Sequence, residues 1–384
     1  MGKCPYCHGT KIIKKGLRRK KYEAVQVWYC HHCGKKFTPL LTKGKTYPLR
    51  VILEAITWYN RFHSLEESAR QVSQKYGLNI SYQNISNWLK DLNQYITFSR
   101  MRGFIARKYK PCQGKPRQGK TLRVKDPKPE GSGNWRGSGI GEAIVESKMF
   151  HGQIYDFKYH RAKTDLILQE DFKHYKFQPL QEFLELVIAE CPHSIFKETK
   201  TRASELGSIF NLNKVKITPR QNMAVQNARL ILQAVANNKL RHEVLQEFML
   251  VNDSVTVATE VPVLLDEEDI RHYRDELGFE IPLNFNESHK THETDETYDL
   301  ITGHIDLLQI RNGAIHILDY KPSASKAKPV DQLTLYALAL ARLTGLRLFH
   351  FKCAWFDEED YFEFYPLHIV YKKKRKKLGV DKDN

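Results

Sequence analysis

Asp306, Asp319 and Lys321 lie on two short apolar runs, ITGHIDLLQI and AIHILDYKP, joined by Arg311-Asn312-Gly313. Over residues 314–322 the residues alternate, so Ile315, Ile317, Asp319 and Lys321 share one strand face. A carboxylate and an ammonium then stand side by side at a strand end. The face of Asp306 also carries Thr302, His304 and Leu308. A hairpin through the Arg311-Asn312-Gly313 turn can bring Asp306 to Asp319. Two carboxylates at one point hold a hard divalent cation, Mg²⁺ or Mn²⁺, through oxygen ligands. Such an ion polarises a phosphoryl oxygen and lowers the pKa of a bound water. Lys321 can orient or deprotonate that water, or offset charge on the phosphorane. Gln332 and Tyr336 are four apart on a predicted helix, hence on one face, and can hold the scissile strand. This is the layout of a metal-dependent phosphodiester-cleaving site.

The elements that must position these groups are legible in outline. A helical run over 226–250 precedes a β-rich run over 254–265. The two carboxylate strands follow, then a helix over 330–344 and a strand over 346–356. With this order, the GHID, ILDYK and QLTLY segments resemble the RecB-type branch of the PD-(D/E)XK nucleases, which shows G-x-x-D, D-Y-K and Q-x-x-x-Y. The resemblance covers residues 220–370. It implies a restriction-endonuclease-like α/β core of order αβββαβ, with Asp306 and Asp319 as metal ligands and Lys321 as the catalytic lysine. It also implies a third ligand from the first helix, for which His242 is the best local match, although the glycine that often precedes that histidine is missing. Glu260 occupies a position where many members carry a glutamate, yet alternation turns it away from Val255, Val257, Val261 and Val263, as a solvent-side residue would be. His304 is expected to line or flank the site. Pro322-Ser323 replaces the common Thr-Gly after the lysine, and an acid-rich segment over 266–299 replaces a short loop. Some relatives hold an iron–sulfur cluster with four cysteines. Cys112, Cys191 and Cys353 do not supply that set, so no cluster is expected.

At the other end, Cys4, Cys7, Cys30 and Cys33 form two C-x₂-C knuckles with 22 residues between them. Four thiolates at this spacing suit a tetrahedral structural Zn²⁺ with no open position. A redox CxxC is the rival reading, and His8, His31 and His32 are alternative ligands. Aromatic and β-branched residues fill the interval, as in a zinc ribbon. Residues 48–62 then carry apolar positions at helical spacing, Ser64 with Glu67 opens a second helix as a capping box, and Gly77 ends it. Ser81 caps a third helix running to about Ile96. Helix, glycine turn and capped helix form a helix-turn-helix pattern, in which Tyr82, Gln83, Asn84, Asn87 and Lys90 would face the major groove. A plain three-helix bundle is the alternative. Residues 1–98 resemble the N-terminal DNA-binding portion of insertion-sequence transposases, without the three spaced acids of the usual transposase catalytic domain.

Charge follows the same division. Residues 1–130 hold 28 of the 61 Lys and Arg but only 7 of the 44 Asp and Glu, a local net of +21. The remainder nets −4, so the basic charge is concentrated where phosphate contacts are expected. The organisation expected is a zinc ribbon over 1–40, a helix-turn-helix domain over 45–98 and a basic Gly/Pro-rich linker over 99–139. A connector or nuclease lobe over 140–220, a nuclease domain over 221–370 and a basic tail over 371–384 follow. No run is long and apolar enough for a membrane span, and no signal peptide is expected before the ribbon. Scattered cysteines suit a reducing compartment. The expected location is the cytoplasm of a prokaryote, at the nucleoid, with a nuclear location left open by the KKKRKK run.

These readings imply a metal-dependent DNA nuclease with its own DNA-binding module, acting in recombination, repair, defence or mobile-element processing. DNA is the expected partner, with a recombination or transposition protein as a further one. The alternative is a non-catalytic DNA-binding regulator or a transposition accessory protein with an inactive nuclease fold.

Overall fold

The computed structural model describes residues 3–38, 44–108, 143–198, 201–207, 209–210, 216–235, 237–283 and 300–371. Two compact units divide the chain. One holds the N-terminal residues through Lys108 together with 223–254, and the other holds 143–222 and the residues from Val255 onward.

The first unit opens with a three-stranded antiparallel sheet of β1 (Ile12–Arg19), β2 (Ala24–Cys30) and β3 (Lys36–Phe37). Its small apolar centre consists of Cys4, Cys30 and Phe37, flanked by Ile12 and Trp28. So little apolar surface cannot by itself hold 35 or so residues, which is the usual reason for a metal or disulfide staple in a domain this small. Helices α1 (Leu49–Asn60), α2 (Leu65–Tyr76) and α3 (Tyr82–Asp91) follow. Apolar residues spaced three and four apart bury one stripe of each: Ile52 and Ile56 on α1, Ala69 and Val72 on α2, Ile85 and Trp88 on α3. Ser64 Oγ accepts from the Glu67 N–H at 3.0 Å, while the Glu67 carboxylate turns to Arg70 and Gln71 instead of completing a capping box. The reciprocal box forms at α3, where Ser81 Oγ accepts from Asn84 N–H and Asn84 Oδ1 accepts from Ser81 N–H at 3.0 Å. Gly77, at φ +62°, ends α2 in the left-handed conformation that glycine adopts without a Cβ penalty. The third helix stops at Asp91, short of Ile96. Ser99–Lys108, read above as the start of a linker, is helix α4; helix propensity in SRMRGFIARK prevails up to the Pro/Gly-rich residues. Linker residues 109–139 lie outside the described residues.

The second unit starts with a hairpin of β4 (Val145–Phe150) and β5 (Ile154–Tyr159), then α5 (Arg161–Glu170), α6 (Gln178–Glu190), α7 (His193–Glu198) and the short β6 (Thr218–Pro219). Residues over 226–250 are not one helix. They form α8 (Met223–Ile231) and α9 (Arg241–Asn252), and both belong to the first unit. Helix α8 ends at Ile231, and the Asn237 side chain accepts from Lys239 N–H to start the turn that leads into α9. Asn252 on α9 bonds Asn60 on α1 at 2.8 Å, and Glu247 pairs with Arg61 at 2.5 Å.

The chain then enters β7 (Thr256–Leu265), helix α10 (Glu267–Asp275), β8 (Ile301–Arg311), β9 (Ala314–Tyr320), helix α11 (Val330–Thr344), β10 (Phe351–Phe356) and β11 (Tyr361–Phe364). The sheet order is β4-β5-β7-β8-β9-β10-β11-β6. Strands β7, β8 and β9 pair antiparallel, and α11 crosses over to β10, which lies parallel to β9. This is the βββαβ part of the expected core, widened by the β4–β5 hairpin at one edge. Asn312 and Gly313, at φ +53° and +71°, make the tight β8–β9 turn that sets the register. Strands β8 and β9 are buried almost throughout, as is α11, so the carboxylates are held by a rigid apolar layer. Of the acid-rich segment, 266–283 is described and contains α10; residues 284–299, and the tail after Tyr371, lie outside the described residues.

Candidate active site

Register brings three carboxylates into a row across three strands. The pairs Thr259↔Leu307 and Val261↔Ile305 flank Glu260 and Asp306, and Leu307↔Leu318 continues by one residue to Asp306 opposite Asp319. Glu260 and Asp306 offer carboxylate oxygens within 4.8 Å of one another. Alternation sets Glu260 on the face away from Val257 and Val261, and that face carries Asp306 instead of opening to solvent. Glu260 has φ +52°, a left-handed backbone in mid-strand. A non-glycine residue held there is strained, and strain of this kind concentrates at functional sites.

Asp319 is 2% exposed and lies beside Lys321, with Nζ 2.9 Å from Oδ2. The Lys321 contact is not aligned as a hydrogen bond, and neither Asp319 oxygen has an aligned donor among the described residues. Burial first, and then the Asp306 charge, hold the Asp319 carboxyl well above the usual carboxylate range, which Lys321 only partly offsets. Asp306 Oδ2 accepts from Tyr320 N–H at 3.3 Å. Burial works against the Lys321 ammonium, but Asp319 and Asp306 outweigh it and raise its pKa. A partly buried carboxylate set with excess negative charge fits a hard divalent cation.

From α11, Gln332 Nε2 donates to Tyr336 Oη at 3.0 Å. Burial pushes the Tyr336 phenol well above its ordinary value. Its ring packs on β8 where Gly303 leaves room: a Cβ at Gly303 would lie 2.2 Å from Tyr336 Cε1. This gives a physical reason for the glycine of GHID. The turn after Lys321 needs a left-handed residue, and Ser323 takes it at φ +63°. Asp357 accepts from Ala324 N–H at 2.7 Å and Trp355 Nε1 donates to Ala324 O at 2.9 Å, which hold the turn without the usual glycine.

The structure thus brings Asp306, Asp319 and Lys321 together, with Gln332 and Tyr336 joined to each other on α11. His242 lies in the first turn of α9, in the first unit. His304 is 7% exposed and flanks the row on β8. Burial and the nearby His151 and Arg202 lower its pKa to about 3.

Residues 193–360 match the PD-(D/E)XK nuclease superfamily. The C-terminal part of this chain is a PD-(D/E)XK nuclease domain. A similar protein is the insertion element ISM1 uncharacterized 48.3 kDa protein of Methanobrevibacter smithii, 32% identical over 100 residues, which cover 22% of this chain and 25% of that protein. The chain therefore spans about a quarter of the length of that curated relative. No solved structure matches.

Beyond the nuclease domain, the four predicted cysteines do converge. Cys4 and Cys33 sulfurs are 3.6 Å apart, as are those of Cys7 and Cys30, and all four lie within 4.8 Å of one another. Sulfurs about 2.3 Å from a tetrahedral centre would be about 3.8 Å apart, so the spacing fits one ion. Burial opposes ionisation of Cys4, but the Tyr6 and Cys7 backbone N–H groups and the neighbouring thiols bring it down to about 7. On α3, Tyr82, Gln83, Asn87 and Lys90 are exposed, whereas Asn84 is half-buried and drawn into the helix cap. Among the described residues, no helix is long and apolar enough to cross a membrane.

Proposed function

We propose that this protein is a divalent-metal-dependent deoxyribonuclease whose basic N-terminal unit brings it to DNA. The observation that carries the reading is the row Glu260, Asp306 and Asp319 with Lys321 2.9 Å from Asp319. Asp306 and Asp319, with Glu260 beside them, would hold Mg²⁺ or Mn²⁺, which supplies Lewis acidity toward the phosphoryl oxygen and an activated water. His242 is the proposed further ligand. Lys321, kept as an ammonium by the two aspartates, orients the attacking water and offsets charge at phosphorus. Gln332 and Tyr336 present an amide and a phenol from the α11 face and position the scissile strand.

Support for DNA as the substrate comes from charge. Strand β1 presents Lys14, Lys15, Arg18 and Arg19 as exposed residues, and α3 adds Lys90 with Gln83 and Asn87. We read Cys4, Cys7, Cys30 and Cys33 as a structural Zn²⁺ site that holds this surface in shape, and α2–α3 as a helix-turn-helix with α3 in the major groove. The relative's name refers to an insertion element, so we place the activity in mobile-element DNA processing.

The test is cleavage of labelled single- and double-stranded DNA with Mg²⁺, Mn²⁺ or EDTA. Cutting requires either metal and is lost in Asp306→Ala, Asp319→Ala and Lys321→Ala, with Glu260→Gln reduced at least 10-fold and DNA binding retained in all four. Wild-type cutting by the three alanine variants would refute the site. Full binding with no cleavage by the wild-type protein over both metals would leave a non-catalytic regulator.

A further inference from the structure

A second group of metal-type ligands lies in the nuclease unit, away from the carboxylate row. His151 follows β4 at the tip of the β4–β5 hairpin, Cys191 caps the C-terminus of α6, and His193 begins α7. His151 Nε2 is 2.8 Å from His193 Nδ1 and 3.9 Å from Cys191 Sγ, and the three ligand atoms all lie within 4.8 Å of one another. We propose that His151 Nε2, Cys191 Sγ and His193 Nδ1 form a second transition-metal site, suited to Zn²⁺, with one position open to solvent.

Distances support the assignment. With Zn–N about 2.0–2.1 Å and Zn–S about 2.3 Å, tetrahedral geometry puts two nitrogens about 3.3 Å apart and nitrogen and sulfur about 3.6 Å apart. The contacts of 2.8 and 3.9 Å straddle these values, so shifts of a few tenths of an ångström suffice. Two imidazoles and one thiol are a borderline-soft set that favours zinc over the hard cations of the carboxylate row. An approach route exists, because His193 is not buried and Cys191 lines a groove of about 360 Å³ with Phe196 and Leu264.

The surroundings are built as metal-site surroundings are. His151 is 1% exposed, its ring stacks on Phe196, and Arg202 donates to its carbonyl at 2.9 Å and to Tyr155 Oη at 3.0 Å. The other ring nitrogen, Nδ1, is 2.8 Å from His304 Nε2. A histidine that ligates through one nitrogen characteristically engages a partner through the other. With Nε2 on the ion, neutral His151 carries its proton on Nδ1 and donates to His304 Nε2, which sets the His304 proton on Nδ1. His304 stacks on Tyr155 and lies two residues before Asp306 on the same strand face. The ion would therefore tie the hairpin tip and the α6–α7 corner to the strand that carries the nuclease carboxylate. This assignment does not depend on nuclease activity.

Metal content of the full chain tests it. Protein stripped with a chelator and dialysed against Zn²⁺, with excess Mg²⁺ present to occupy the carboxylates, is expected to retain two zinc ions per chain. Cys191→Ser and His193→Ala each retain one, and Cys30→Ser/Cys33→Ser loses the other. With Co²⁺, the Cys30→Ser/Cys33→Ser variant keeps visible d–d absorption and a sulfur-to-cobalt charge-transfer band, and adding Cys191→Ser removes that band. His193 is not buried, so its alanine variant should fold, and unchanged circular dichroism checks it. One zinc per wild-type chain, or two retained by both Cys191→Ser and His193→Ala, overturns the proposal.

Discussion

Gly303→Ala is the most direct probe of how the nuclease site is built. The added Cβ would lie 2.2 Å from Tyr336 Cε1 and 2.9 Å from both Cζ and Oη. Ordinary contact begins near 3.4 Å, so the ring must retreat by about 1.2 Å or β8 must bend. Neither is easy. Tyr336 is 5% exposed on a buried helix face, and β8 is locked between β7 and β9. Overpacking of this kind costs about 1–3 kcal/mol, which for a unit of this size lowers the melting temperature by about 2–12 °C at 2–4 °C per kcal/mol. Its effect on catalysis is larger, since a ~1 Å misplacement of a positioning group can cost about 100-fold in rate. Expected, then, is a folded protein with kcat lowered by about 10- to 100-fold. Thermal melts and single-turnover cleavage measure the two effects separately. A double-mutant cycle isolates the cause: in a Tyr336→Ala background the clash is gone, so adding Gly303→Ala should cost under about 0.5 kcal/mol. Wild-type cleavage and melting in Gly303→Ala, or an undiminished cost in the Tyr336→Ala background, would refute the reasoning.

Asp319→Asn tests the electrostatics. A carboxyl whose folded pKa is raised above its unfolded value contributes stability at low pH and loses it as pH rises from the unfolded value through the folded one. The metal-free wild type should therefore weaken relative to Asp319→Asn as pH rises, and the variant should melt a few degrees higher in EDTA at pH 8, for about 1 kcal/mol or more. It should also lose the stabilisation that Mn²⁺ confers on the wild type; a lower melting point for the variant in EDTA at pH 8 would contradict the assigned cause. For the N-terminal unit, Gln83→Ala/Asn87→Ala should reduce preference among DNA sequences more than total affinity, and wild-type affinity should fall steeply with salt as counterions are released. These titrations require the whole chain, because α8 and α9 complete the N-terminal unit through Asn252–Asn60 and Glu247–Arg61.

Local repetition made much of this protein legible in its sequence. The β8–β9 hairpin, the face shared by Asp319 and Lys321, the helix over 330–344 and the converging cysteines all follow from spacings of two, four or C-x₂-C. Chain stereochemistry imposes those spacings wherever the residues occur. The GHID glycine was visible as well, although its reason, the Tyr336 ring, was not. Other features were decided only by the tertiary structure. Glu260 joined the carboxylates because β7 pairs with β8 in the register that sets it opposite Asp306, and alternation gives a residue's face but not the strand beside it. The β4–β5 hairpin entered the nuclease sheet, and α8 and α9 went to the N-terminal unit, because strand pairing and helix docking depend on which distant surfaces complement each other. His151, Cys191, His193 and His304 meet from four elements for the same reason. Periodicity is a property of neighbouring residues, whereas a site assembled from residues 40 to 150 positions apart exists only once packing has fixed where each element ends.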